Sequence, residues 1–165
     1  MATITLQGTA FHTNGNLPAR GDAAPDFVLV DGDLNDVTLA TYAGKKKLFN
    51  IFPSMDTPVC ATSTRKFNEH AAKHGNAVFL MVSADLPFAM KRFCSEAGAG
   101  NVIPLSLMRS RKFAEDYGVL ITDGPLAGIT ARAVVVVDEN NKVTYSQLVT
   151  EVAHEPDYDK ALAAL

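Results

Sequence analysis

The sequence predicts an α/β fold with a mixed central β-sheet flanked by helices and with an N-terminal β-hairpin. Three observations support this prediction. Short apolar runs typical of buried strands alternate with segments of helical pattern, a second hairpin pattern stands late in the chain, and no repeat or linker interrupts it. With 165 residues and about 150 residues per typical domain, we expect one domain spanning residues 1–165.

The first elements along the chain are strands. Residues 3–20 alternate weakly and contain the turn signal Asn14-Gly15, so a small hairpin is expected there. Residues 48–52 form an almost uninterrupted apolar run, which is typical of a central strand covered on both faces. The three lysines at 45–47 are expected to be the solvated start of that strand. Short strands are also predicted at residues 27–30 and 37–39.

Helices then alternate with buried strands. Residues 59–74 are predicted to form a helix that stops at Gly75, because glycine favours helix termini. A second helix begins at Pro87 and runs to Gly98, and a third covers residues 109–117. The other elements are expected as strands at 78–82 and 102–107, a β-hairpin at 133–137 and 142–148, and a closing helix at 156–165. This order fits a thioredoxin-like fold.

Composition excludes several classes of protein. Fifteen basic and eighteen acidic residues give a net charge of −3, which offers no electrostatic footprint for nucleic acid or an anionic membrane surface. The longest apolar stretch, residues 131–137, contains Arg132 and is far shorter than the ~20 residues that span a bilayer. The first residues lack the basic start and apolar core of a signal peptide, so a cytoplasmic protein is expected.

The chain contains two cysteines, Cys60 and Cys94. Two cysteines are too few for a disulfide scaffold, and the absence of a Cys-x-x-Cys pair argues against a structural zinc site. Such a sparse pair is either two buried small side chains or a redox couple.

The residues before Cys60 favour a reactive thiol. Thr57 is expected as the N-cap of the helix and Pro58 as its first residue, so Cys60 falls in the first turn. Unpaired backbone N–H groups and the helix dipole favour a thiolate at that position. Loops that join a strand to a helix lie at the sheet edge where ligands bind. Cys60 is therefore predicted to be a nucleophile.

The residues alone leave the acceptor of this nucleophile open. Hydrolytic cysteine enzymes use a histidine as general base. His70 is too distant, about 15 Å along the same helix, whereas His12, His74 and His154 could approach through the fold. A thiolate without an obvious base fits peroxide chemistry, in which the sulfur attacks oxygen and becomes a sulfenic acid. Cys94 is then the candidate that condenses with it.

Several motifs resemble the peroxiredoxins. The segment PSMDTPVC around Cys60 is similar to their peroxidatic signature, Pro-x-x-x-Thr-x-x-Cys, although Met55 stands where a branched aliphatic residue is more frequent. The segment SADLPFAMKRFC resembles the resolving-cysteine helix of the bacterial thiol peroxidases, which are atypical two-cysteine peroxiredoxins. Two later stretches, YGVLITDGPLAGITARAVVVVDENNKV and EPDYDKAL, match the same subfamily. The resemblance covers the chain from end to end.

The resemblance implies a role for each matching residue. Cys60 would be the peroxidatic nucleophile, and Cys94 the resolving thiol that forms an intrachain disulfide with it. Thr57 would hydrogen-bond the peroxide, and Pro53 would shield the thiolate from water. Arg132 would stabilise the thiolate and orient the peroxide oxygens, as its fixed charge and several donors allow.

The resemblance also implies the partners of the reaction. Hydroperoxides, both alkyl hydroperoxides and hydrogen peroxide, would be the substrates, thioredoxin the reductant, and a homodimer the assembly. No metal, flavin or haem cofactor is implied. Two alternatives are a peroxide-sensing relay that passes its disulfide to a partner and an inert thioredoxin-fold binding module. Because a disulfide needs Cα atoms within ~7 Å, both cysteine helices are expected to unwind in part on oxidation.

Overall fold

The computed structural model describes residues 1–165 and contains a seven-stranded mixed sheet beside a separate hairpin. The strands are β1 (Thr3–Leu6), β2 (Thr9–His12), β3 (Leu29–Val30), β4 (Asp36–Val37), β5 (Lys46–Ile51), β6 (Ala77–Ser83), β7 (Ile103–Ser106), β8 (Ala133–Val137) and β9 (Val143–Leu148). β1 and β2 form the hairpin, and the large sheet has the order β4-β3-β7-β6-β5-β8-β9. Its three central strands, β5, β6 and β7, are parallel, and the other neighbours are antiparallel.

Helices cover the sheet on both faces. They are α1 (Pro58–Ala71), α2 (Pro87–Glu96), α3 (Lys112–Asp116) and α4 (Tyr158–Ala163), with a short 3-10 helix at Leu39–Tyr42. α1, α2 and α4 contribute to the apolar core on one face, and α3 and the hairpin to the core on the other. Side chains of β5 alternate between the two, since Leu48 joins the first and Phe49 the second. No helix is long and apolar enough to span a membrane.

The predicted N-terminal hairpin is confirmed, but its turn lies elsewhere. The chain reverses at Gln7 and Gly8, where φ is +51° and +84°. Positive φ at both central residues is typical of the tight turns that match the twist of a two-residue hairpin. Asn14, in the turn signal, instead pairs with Leu120 through its backbone N–H and its side-chain oxygen.

The predicted end of α1 and the predicted exposure of Lys47 are also wrong. α1 ends at Ala71, three residues before His74, and Gly75 follows the turn rather than capping the helix. Lys47 is buried instead of solvated, because both faces of β5 are covered from this residue onward. Its Nζ donates to the Lys45 carbonyl at 3.0 Å and to Asn141 Oδ1 at 2.9 Å. Burial lowers the pKa of the Lys47 ammonium group.

Four chain segments meet at one edge of the sheet, on the side where the central strands terminate. The parallel strands β5 and β6 end there, the antiparallel strand β8 begins there, and β9 ends there. The Thr130 hydroxyl, just before β8, donates to the Phe52 carbonyl, just after β5, at 2.7 Å. This edge therefore brings together residues that are far apart in sequence.

The hairpin is attached to the same edge by a carboxylate. Glu151, after β9, accepts hydrogen bonds from the Thr5 hydroxyl at 2.6 Å and from the backbone N–H groups of Gln7 at 3.0 Å and Gly8 at 3.3 Å. These bonds favour the ionised form and lower the pKa of Glu151 to about 2. On the other strand of the hairpin, His12 Nδ1 lies 2.7 Å from Asp123 Oδ2.

We expect Glu151→Gln to loosen the hairpin turn. Because the folded pKa lies below the ordinary 4.5, the carboxylate stabilises the attachment above about pH 4.5 and loses this effect as the pH falls towards 2. Amide hydrogen exchange at Gln7 and Gly8 should thus be faster in the variant near neutral pH, with the difference shrinking towards pH 2. Glu96→Gln, on the exposed side of α2, is the control. Equal protection of these amides in wild type and variant near neutral pH would contradict the role of Glu151.

Candidate active site

The start of α1 is built largely as the sequence predicts. Thr57 occupies the N-cap position with extended backbone, and Pro58 opens the helix. The Thr57 side chain, however, does not cap the helix; its hydroxyl donates to the Ser54 carbonyl at 2.9 Å. The N–H group of Cys60, in the first turn, has no acceptor within the protein. The positive end of the helix therefore faces the Cys60 side chain without a competing cap.

Cys60 and Arg132 are in direct contact. Both are buried, with 0% and 2% of their surface exposed, and Arg132 Nη2 donates to Cys60 Sγ at 3.3 Å. The Arg132 Nε donates to the Val152 carbonyl at 2.9 Å, which fixes the plane of the guanidinium group. Its Nη1 is buried without an acceptor. The site thus offers one spare donor of permanent positive charge next to the sulfur.

No histidine serves Cys60 as a base. Arg132 supplies the one side-chain hydrogen bond to the sulfur. His12 is paired with Asp123, His74 lies beyond the other end of α1 next to Phe79, and His154 lines a depression that does not include Cys60. The arrangement of a hydrolytic cysteine–histidine pair, which the sequence left open, is absent.

Hydroxyl groups surround the backbone of Cys60 on the side of the sheet. The Ser63 and Thr64 hydroxyls donate to the Cys60 carbonyl at 3.0 Å and 2.9 Å. Asn50 of β5 donates in turn to the Ser63 hydroxyl at 3.1 Å. Side-chain hydroxyls that bind helix carbonyls weaken and bend a helix slightly. These hydrogen bonds therefore weaken the first turns of α1 slightly.

An apolar pocket of about 420 Å³ opens above this contact. Pro53, Thr57 and Arg132 all line it, so the structure brings the sequence-predicted residues around Cys60 together. Its remaining walls are mainly apolar and come from Leu6 of the hairpin, Leu126, Ile129 and Val152. Cys60 itself does not line the pocket, because its side chain is fully buried next to Arg132.

Cys94 lies outside this pocket. It is on α2, 9% exposed, and lines a different depression of about 480 Å³ that shares no residue with the first. Both cysteines are free thiols. Burial raises the pKa of the Cys94 thiol to about 11, so it is protonated at neutral pH. The structure does not bring the two predicted redox partners into one site.

The sequence reasoning gave no role to Asp85, which lies in the motif SADLPFAMKRFC. Its Oδ1 accepts from the Ser54 hydroxyl at 2.7 Å, and its Oδ2 accepts from the Met55 N–H at 2.7 Å and the Ser83 hydroxyl at 2.6 Å. The signal that could have found it is its position, because an acidic residue directly after a buried parallel strand lies at the ligand-binding edge of the sheet.

The two thiols should differ in reactivity. Iodoacetamide added to the reduced protein near neutral pH is expected to modify Cys60 first, because Cys60 lies beside a guanidinium group whereas burial keeps Cys94 protonated. Peptide mapping by mass spectrometry measures the two positions separately. The unfolded protein in urea is the control, in which both should react at similar rates. Faster modification of Cys94 in the folded protein would contradict this description.

The chain resembles known proteins over its full length. The Redoxin family model matches residues 19–162. Thiol peroxidases of Mycobacterium bovis and Mycobacterium tuberculosis are each 56% identical over 165 residues, which is 100% of this chain and 99% of each relative.

Solved structures agree with this assignment. A peroxiredoxin-like protein from Aquifex aeolicus superimposes with a TM-score of 0.92 at 40% identity, covering 100% of this chain and 98% of the other. A thiol peroxidase from Chromobacterium violaceum gives a TM-score of 0.91 at 27% identity, covering 99% and 95%. The thioredoxin-like fold and the peroxidase activity predicted from the sequence are confirmed, and the relay alternative is not favoured. The chain belongs to the thiol peroxidases of the Redoxin family, which reduce peroxides with thiols.

Proposed function

We propose that residues 1–165 act as one peroxiredoxin domain in which Cys60 reduces hydroperoxides. The observation that carries this proposal is the hydrogen bond to the buried Cys60 Sγ from Arg132, which also lines the apolar pocket. The Cys60 thiolate attacks one oxygen of the peroxide, and the O–O bond breaks. The sulfur keeps that oxygen as a sulfenic acid, and the other oxygen takes up a proton and leaves as alcohol or water.

Three residues around Cys60 assist this step. Arg132 stabilises the thiolate through Nη2 and offers the unpaired Nη1 to a peroxide oxygen. Thr57 has committed its own proton to the Ser54 carbonyl, so its oxygen is free to accept a hydrogen bond from the peroxide O–H. Pro53 lines the pocket without a backbone N–H and shields the sulfur from water.

The pocket favours substrates with an apolar group. Leu6, Leu126 and Ile129 supply a hydrophobic wall beside the polar end formed by Arg132. An alkyl hydroperoxide fits this division, with its chain against the leucines and its O–O group towards the guanidinium. Hydrogen peroxide is also a substrate but gains nothing from the apolar wall. We therefore assign alkyl hydroperoxides as the preferred class.

Cys94 completes the cycle as the resolving thiol. Its thiol condenses with the Cys60 sulfenic acid, so that a disulfide bond forms and water leaves. In the reduced protein Cys60 is fully buried beside the apolar pocket, whereas Cys94 lines a different depression, so this step requires the first turn of α1 and part of α2 to unwind. The hydroxyls of Ser63 and Thr64 on the Cys60 carbonyl support a first turn that opens readily.

Thioredoxin is the proposed reductant. Its two thiols exchange with the Cys60–Cys94 disulfide, which returns both cysteines to thiols and leaves the partner oxidised. The chain needs no metal, flavin or haem for any of these steps. Two free cysteines suit the reducing cytoplasm, which is the location we propose.

The protein is proposed to act as a homodimer. Leu86 and Met108, exposed by 54% and 39%, line one depression of about 280 Å³, and Phe88, exposed by 64%, is the second residue of α2. Exposed large apolar side chains that lie close together are typical of subunit interfaces. Sedimentation velocity measures the assembly directly.

The two cysteines should have different variant phenotypes. Cys60→Ser is expected to abolish peroxide consumption, because the nucleophile is lost. Cys94→Ser should reduce one equivalent of cumene hydroperoxide and stop as the sulfenic acid, because only resolution is lost. Intact mass before and after one equivalent of peroxide distinguishes these outcomes. Sustained turnover of the wild type with thioredoxin separates an enzyme from a relay, and normal turnover by Cys60→Ser would overturn the assignment.

Thr57→Val and Arg132→Met should slow peroxide reduction while the fold survives. Loss of one donor or acceptor aimed at the reacting atoms typically costs ~10²-fold or more in rate. The rate of Cys60 oxidation by cumene hydroperoxide is the measurement, followed by rapid quenching with an alkylating reagent. Arg65 is an exposed arginine on α1, the helix of Cys60. Arg65→Met is the matched control and should react at the wild-type rate. Less than a tenfold loss in both variants would argue that neither residue touches the peroxide.

A further inference from the structure

Asp85 connects the two segments that carry the cysteines. It lies between β6 and α2, the helix of Cys94, and its carboxylate binds Ser54 and Met55, which precede α1, the helix of Cys60. The side chain is half-buried, and three donors converge on its two oxygens at 2.6–2.7 Å. Hydrogen bonds to an ionised acceptor are about twice as strong as neutral ones. The carboxylate is therefore a firm attachment for the segment before α1.

The backbone of Asp85 is itself fixed to the sheet. The Ser106 hydroxyl of β7 donates to the Asp85 carbonyl at 2.5 Å, and the Asp85 N–H donates to the Ser83 hydroxyl of β6 at 3.2 Å. Two central parallel strands thus hold the residue from which the carboxylate projects. The segment before α1 is consequently held in place by the central sheet rather than by neighbouring loops.

Ser54 connects Asp85 to Thr57 at the proposed peroxide site. Its hydroxyl donates to Asp85, and its carbonyl accepts from both the Thr57 hydroxyl at 2.9 Å and the Thr57 N–H at 3.2 Å. The Ser54 carbonyl therefore sets the direction of the Thr57 hydroxyl, which faces the peroxide. The path from Asp85 to Thr57 contains one intermediate residue.

Met55 connects Asp85 to the apolar packing around Cys60. Its N–H is bound by Asp85, and its side chain, only 3% exposed, packs in the same apolar cluster as Cys60 and Phe52. A shift of the Met55 backbone would disturb the packing around the first turn of α1. Both routes place Asp85 in control of the geometry around Cys60 without contact with the substrate.

We propose that Asp85 is a positioning residue that holds the segment before α1 in the conformation that reduces peroxide. The inference rests on the proposed function of Cys60 and Cys94. By holding that conformation, Asp85 also sets the fate of the Cys60 sulfenic acid. In the closed conformation a second hydroperoxide adds an oxygen to the sulfur and leaves as the alcohol, giving a sulfinic acid. In the opened conformation the Cys94 thiol forms the disulfide and water leaves.

Removal of the carboxylate acts on both steps in a defined direction. The first oxidation of Cys60 slows, because Thr57 and the first turn of α1 are no longer held in the reactive geometry. A misplacement of about 1 Å can cost ~10²-fold in rate, and we expect a loss of about 10- to 100-fold. The segment opens more readily, so a larger share of the sulfenic acid becomes disulfide and a smaller share becomes sulfinic acid.

The test compares Asp85→Ala with Tyr117→Phe. The control removes a hydrogen bond from a hydroxyl to the Pro25 carbonyl beside the apolar core on the other face of the sheet and leaves every bond of Asp85 in place. Rapid quenching followed by intact-mass analysis gives the rate of Cys60 oxidation and the ratio of disulfide to sulfinic acid at a series of cumene hydroperoxide concentrations. Thermal unfolding measures the stability of each variant. The chain has no tryptophan, so mass replaces intrinsic fluorescence as the signal.

Asp85→Ala is expected to slow oxidation and raise the disulfide share, whereas Tyr117→Phe lowers the unfolding temperature with the oxidation rate and the ratio unchanged. Asp85→Asn, which keeps the shape and one acceptor oxygen, should recover part of the rate, and it replaces Asp85→Ala if that variant does not fold. An unchanged rate and ratio in the Asp85 variants, or equal changes in Tyr117→Phe, would overturn the proposal. In either result, peroxide-dependent oxidation of Cys60 in the wild type tests the proposed function separately.

Discussion

The contact between a buried guanidinium group and a buried sulfur organises this protein. Arg132 and Cys60 have almost no exposed surface, and a buried charge without a partner would be strongly destabilising. The sulfur, the Val152 carbonyl and the pocket provide the environment that makes the charge tolerable. Segments after β5, before β8 and after β9 must all reach one edge of the sheet for this contact to form. The mixed topology satisfies this requirement, because β8 runs antiparallel to β5.

Local chemistry made part of the site predictable. Thr57, Pro58 and Cys60 occupy the cap, first and third positions of the helix, so the start of α1 could be placed from the sequence. The partner of Cys60 could not be derived in this way. Arg132 lies 72 residues further along the chain, and it reaches the sulfur only through the pairing of β5 with β8. The resemblance to a known family suggested the role of this residue, whereas its position in sequence did not.

Hydrogen bonds of individual side chains account for most of what the sequence did not predict. The Thr57 hydroxyl binds the Ser54 carbonyl instead of capping α1, and Asp85 and Lys47 find partners on other elements. The apolar run identified β5 as a central strand but could not show that both faces of the strand are covered as far as Lys47. The hairpin turn lies at Gln7-Gly8, where two positive φ values match the twist of the strands. The turn signal Asn14-Gly15 lies beyond the second strand and cannot join the two strands.

Strand register gives this site a dependence that no active-site residue reveals. Ile51 is paired with Ala133, so Arg132 projects on the same face as Val134, towards α1. Side chains alternate along a strand, and a slip of one residue turns each of them to the opposite face. A one-residue deletion within β8 would thus leave a hydrogen-bonded sheet whose arginine points towards the hairpin core. The backbone ladder between β5 and β8 is chemically inert, yet it determines whether Arg132 meets Cys60.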